Sequence, residues 1–252
     1  MKGQAMEANL VNIQGFRQSQ NRKSRRNYKA LLKKAAKALN NGQFNKAMSL
    51  FDQVIVSAPD EVKGYTGKAC ALACMEDFKA AIAVMTYAIS IKSDDAYRYF
   101  YRAGIYHAMG DLDCAMADYD RAIHKYPSYT EAYIERGVIS ASQGNYERAI
   151  LDFDVAAGLD PKSGRAFKVR GHAFYALENF PAAMWNLDQA ISRDPSDGEA
   201  VFGRGTIKFF FDELNDAWSD LKKAAALGWE VPEELIQKIE KATGRVWSAE
   251  KN

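Results

Sequence analysis

The 252-residue chain has little of what most protein chemistry requires: three cysteines, three histidines and six prolines. Cys70, Cys74 and Cys114 do not form the spaced, even-numbered set of a disulfide framework. Cys70 and Cys74 stand four apart, but two thiolates without a companion pair do not build a structural zinc site, and small cysteines in a packed helix usually act as apolar filler. His107, His124 and His172 have no cysteine or carboxylate beside them at metal-ligand spacing. No glycine-rich phosphate loop follows a strand pattern, and neither a nucleophile elbow nor an HExxH pair occurs. These absences predict a protein that is not an enzyme and that uses no metal and no cofactor.

Long apolar runs are missing as well. Nothing approaches the ~18 consecutive apolar residues of a membrane span, and the first twenty residues lack the unbroken apolar stretch of a secretory leader. With so few cysteines, the expected location is cytoplasmic. Extended alternating patterns of strand type are also absent. One sign of charge is missing locally: residues 8–51 hold ten Lys or Arg and no Asp or Glu. Because Lys2 and Glu7 cancel and the whole chain carries +2, residues 52–252 carry −8.

What the chain has is a period. Alanine stands at 47, 81, 115, 149, 183 and 217, always 34 residues apart. A fixed step of this size marks stacked helix–turn–helix units. It divides the sequence into repeats 28–61, 62–95, 96–129, 130–163, 164–197 and 198–231. The eighth position of each is small (Ala35, Ala69, Ala103, Gly137, Gly171, Gly205), which lets two helices approach closely. The twenty-fourth is large and apolar (Phe51, Met85, Tyr119, Phe153, Leu187, Leu221) and fills the adjoining space. Pro59, Pro127, Pro161 and Pro195 recur where one repeat must stop and the next begin.

These columns, most complete in Tyr133, Gly137, Tyr146, Ala149, Phe153, Ala156 and Pro161, resemble the tetratricopeptide repeat over about four fifths of the chain. The resemblance implies an all-α fold, an α-solenoid in which paired antiparallel helices wind into a right-handed superhelix. First helices would line a concave groove. The expected organisation is a basic arm over 1–27, six repeats over 28–231, and a solvating helix with tail over 232–252. The last begins at Pro232-Glu233-Glu234 and stops at Gly244.

Every repeat has Lys or Arg at its seventh position: Lys34, Lys68, Arg102, Arg136, Arg170, Arg204. A ladder of cations for a polyanion is one interpretation. The stronger one is structural, because Asp118, Asp152 and Asp220 occupy the twenty-third position of the repeats holding Arg102, Arg136 and Arg204, with Asn186 opposite Arg170.

Function is expected in the groove. The resemblance places repeat positions 2, 5, 6, 9, 12 and 13 on the concave face, and these share one side of a helix. The candidate partner-binding residues are Lys63, Tyr97, Phe100, Tyr101, His107, Glu131, Ile134, Glu135, Arg165, Lys168, His172, Tyr175, Phe202 and Phe209. Tyr and Phe are favoured interface anchors, and the small Thr66, Gly67, Cys70, Ala73 and Cys74 leave room for a partner's side chains. The basic clamp of chaperone adaptors is not met: Leu32, Ala36, Gly67, Tyr97 and Tyr101 stand where its Lys, Asn and Arg would be. The chain therefore reads as a non-catalytic interaction scaffold or adaptor that binds a peptide or helix of a protein partner. Two alternatives remain open. One is docking of nucleic acid, anionic membrane or an acidic partner on residues 17–37, which include Arg22, Lys23, Arg25, Arg26, Lys29 and Lys33. The other is homo-oligomerisation, with the groove taking a neighbour's Leu10, Val11, Ile13 and Phe16.

Overall fold

First helices begin at residues 62, 96, 130, 164 and 198, so the 34-residue step of the sequence is also a step in space. In the computed structural model, which describes residues 28–91 and 93–247, we number the helices α1 (residues 28–40), α2 (Phe44–Ser57), α3 (Val62–Cys74), α4 (Phe78–Ile91), α5 (Ala96–Met109), α6 (Leu112–Lys125) and α7 (Thr130–Ser142). They continue as α8 (Tyr146–Leu159), α9 (Gly164–Ala176), α10 (Phe180–Arg193), α11 (Gly198–Phe210), α12 (Leu214–Ala226) and α13 (Glu233–Thr243). Among the described residues no strand occurs. Each of the four recurrent prolines stands two residues beyond the end of a second helix, where its missing N–H breaks no ladder. Side chains of Asp95, Ser163 and Asp197 then accept from backbone N–H groups opening α5, α9 and α11.

The chain divides into two units, Met1–Pro127 and Ser128–Asn252. In the first, α2 to α6 each pack on the next; in the second, α7 to α13 do so. The alanine column is the seam of every pair. All six alanines are 0% exposed, and the large twenty-fourth residues are exposed by 2% or less. At Gly137 an added Cβ would fall 2.5 Å from the Phe153 ring, so hydrogen alone lets α7 meet α8 at that point. Phe51 covers Gly67 in the same way, at 2.1 Å. Burying one such aromatic side chain contributes about 1.5–3 kcal/mol.

From repeat two onward, the seventh-position cations are structural. Arg102 reaches Asp118 at 2.6 and 2.9 Å, Arg136 reaches Asp152 at 2.9 and 2.5 Å, and Arg204 reaches Asp220 at 2.8 and 2.7 Å. Arg170 takes Asn186 at 2.7 Å. A further nitrogen extends to the second helix of the preceding repeat. Arg170 pairs with Asp154 at 2.6 Å, Arg204 with Asp188 at 2.8 Å, and Arg102 donates to Thr86 at 2.9 Å. Lys68 makes only this backward contact, to Asp52 at 2.7 Å. Burial opposes ionisation of Asp220, but hydrogen bonds and charge from Arg204 and Lys208 prevail and hold its carboxyl below the usual range.

The turn between the two helices of a repeat needs a left-handed residue at position fifteen. Gly42, Gly110 and Gly144 supply it at φ of 70°, 87° and 80°. Glu76, Glu178 and Asp212 adopt the same conformation at 61°, 58° and 62°, against the crowding of their own Cβ.

Three outcomes are expected. Asp152→Ala removes the partner of a mostly buried guanidinium and lowers unfolding stability in urea by about 3 kcal/mol. Glu178→Gly relieves left-handed strain and raises stability by about 0.5–1 kcal/mol in the same titration. Asp220 has a depressed folded pKa, so its contribution is present above the unfolded value and disappears as pH falls below about 4. Melting curves of Asp220→Asn should therefore lose part of the wild-type acid sensitivity.

Candidate functional site

In the first unit, the residues predicted to face a partner lie on α3 and α5, which touch. Tyr97 is 52% exposed and Tyr101 41% exposed, while Lys63 is exposed and His107 half-buried. Phe100 is only partly accessible. Its ring packs 5.6 Å from that of buried Tyr119 and 5.8 Å from that of Tyr101. Facing residues on α3 are small, and the open side of α5 at Gly104 would admit a Cβ with nothing nearer than 3.9 Å. Partial burial, with Cys70 and Tyr97 nearby, pushes the Tyr101 phenol up, so it remains a neutral hydrogen-bonding group. Burial likewise pushes up the Cys70 thiol, with Cys74 adding to the effect, which disfavours the nucleophilic thiolate.

In the second unit, the predicted residues lie on α7, α9 and α11, and most are already engaged. Arg165 on α9 pairs with Glu135 on α7 at 2.7 Å. Lys168 lies between Asp197 at 2.9 Å and Glu199 at 2.7 Å, and Asp197 also caps α11 by accepting from the Ala200 N–H. His172 has Glu199 at 3.7 Å, yet burial pushes its imidazole below the ordinary value and keeps it neutral near pH 7. Tyr175 meets Phe180 edge-on at 5.7 Å, and Phe202 meets Trp229 at 6.0 Å. Glu131 is exposed.

One assignment needs correction, and a second residue is only partly accessible. Ile134 is 2% exposed and sits in the core with Ala157, Ala166 and Phe167, because position five of α7 points between helices here. Phe209 is partly buried and packs against the cluster of Ala217, Leu221, Val231 and Ile239, which takes in α12 and α13. Of the proposed basic arm, Arg22, Lys23, Arg25 and Arg26 lie outside the described residues, as do Leu10, Val11, Ile13 and Phe16. Lys29 and Lys33 are described and exposed on α1.

Sequence reasoning missed the pairing of charges between consecutive first helices. The signal was present: position six of one repeat against position two of the next for Glu135 and Arg165, and position five against position two for Lys168 and Glu199. Among the described residues, no group of three or more His, Cys, Asp or Glu could hold a metal ion. No described helix is long and apolar enough to cross a membrane.

The arrangement is that of a helical repeat protein. A tetratricopeptide repeat family model matches residues 105–164. The fold is similar to that of a chain in the APC/C hetero-tetramer Cut9–Hcn1, at 16% identity and a TM-score of 0.70, over 86% of this chain and 43% of that one. The chain thus spans less than half of that relative. It also resembles Pseudomonas aeruginosa pilF, at 14% identity and a TM-score of 0.68, over 78% of this chain and 90% of that one. A third likeness is to YrrB, a tetratricopeptide-repeat protein with an unusual peptide-binding site, at 20% identity and a TM-score of 0.51, over 68% and 88% of the two chains. No curated protein matches the sequence. Residues 105–164 thus match the tetratricopeptide repeat, and the described helices have the fold of an array of such repeats.

A mutation tests the packing around Phe209. Phe209→Ala should loosen α13, seen as amide exchange in Glu233–Thr243 faster by about tenfold while α7 to α10 stay protected.

Proposed function

We propose that the chain is an interaction scaffold that takes a protein segment on the face formed by α3 and α5. The observation that carries this reading is the pairing of two large exposed rings, Tyr97 and Tyr101, with the small side chains of α3 beside them. Each ring offers a broad apolar face and a hydroxyl, and two rotatable bonds limit the entropy lost on contact. Helical packing beneath them, through Phe100 on Tyr119, holds the platform before a partner arrives. The peptide-binding site of YrrB supports a binding role for a fold of this kind.

In the second unit, charge has a different part. Arg165 and Lys168 are neutralised by Glu135, Asp197 and Glu199. A ligand on this face would have to break those pairs to use the cations, so its selectivity comes from shape and apolar contact with Val138, Val169 and Tyr175.

Crosslinking with mass spectrometry identifies the bound segment, and calorimetry with that segment gives the affinity. Tyr97→Ala combined with Tyr101→Ala is expected to weaken capture at least about tenfold with helicity unchanged. Undiminished binding by the double variant sinks the assignment of this face.

A further inference from the structure

At the turn edge of the last two repeats, the second unit carries an aromatic patch that the packing does not consume. Phe210 is 65% exposed and Phe211 57%, two adjacent rings at the end of α11. Phe211 lies edge-on to Phe180 at 5.4 Å, which joins the patch to the start of α10, and Leu177, closing α9, is 38% exposed. Monomeric surfaces tolerate single apolar residues but seldom expose such a group without use. In the chain, carboxylates flank it: Glu178 follows Leu177, and Asp212 and Glu213 follow Phe211. All three are exposed, and among the described residues none has an ion pair. This differs from Asp152, Asp154, Asp188, Asp197 and Asp220 in the same unit, each bound to a cation.

The complementary surface is in the first unit of the same chain. On α1, Lys29, Lys33 and Lys37 follow one another at four-residue spacing with Lys34 beside them, all exposed. Among the described residues none of these lysines has an acidic partner. A lysine row suits both halves of the patch. Its ammonium groups pair with carboxylates or sit over aromatic faces, and its methylene stems lie along apolar rings.

We infer that the chain self-associates head to tail, the lysine face of α1 from one copy docking on the Phe210–Phe211 edge of another. The contact is heterologous, since each copy contributes a different surface to it. It does not involve the α3–α5 face and stands or falls separately from that reading.

Sedimentation of the full chain at low and high salt tests it. Association is expected at low salt and should weaken at least about tenfold at high salt. A triple reversal of the edge, E178K/D212K/E213K, and a triple reversal of the helix, K29E/K33E/K37E, should each abolish association alone. Mixed in equal amounts, the two variants should associate again, because each retains the surface that the other can meet. Circular dichroism verifies that both remain helical, and Phe210→Ser with Phe211→Ser, which leaves every charge in place, should also lose association. A wild-type chain that stays monomeric at low salt, or a mixture that fails to recover, overturns the inference. So does association that is retained by either triple reversal.

Discussion

One methyl group per repeat sets the distance between helices, and the rest of the molecule follows from it. With alanine fully buried at every seam, the second helix can pack closely on its first helix. The large neighbour four residues later then has one place to go, over the small eighth residue of the facing helix. Phe153 over Gly137 is the tightest example in the second unit. Neither member works alone: a wider seam would leave the ring without contacts, and a larger eighth residue would displace it.

Much of this was legible in the sequence because it repeats. A column of six alanines carries information that no single alanine could, and the Arg–Asp spacing of sixteen residues became meaningful because it recurred. The backward reach of Arg170 and Arg204 to the preceding repeat was equally periodic, at Asp154 and Asp188, but it joins two repeats and escapes a reading made one repeat at a time. Function was less legible. Ile134 and Val138 are both apolar and both in positions assigned to the groove, but only the packing of α7 shows that Ile134 turns inward. Phe209, Phe210 and Phe211 read as one aromatic run, whereas the first packs against a cluster that includes Ile239 and the other two stay exposed. Ile239 lies beyond the repeats, where periodicity carries no information.

The two units illustrate two ways of making a surface from one framework. On α5, aromatic side chains remain accessible beside a helix of small residues. On α7, α9 and α11, opposite charges at neighbouring positions neutralise one another, and His172 stays uncharged among them. The second surface resembles a finished interior seam more than a contact site. The lysines of α1 and the carboxylates after Leu177 and Phe211 are exposed charges outside these pairs.

The bridging arginines also bear on how the array comes apart. Because Arg170 holds both its own repeat and the second helix of the one before, detaching α9 breaks bonds in two repeats at once. Arg204 does the same one step on. Within the second unit these bonds add to an apolar core that runs through three repeats, and together they favour loss of neighbouring repeats at once over peeling one helix at a time.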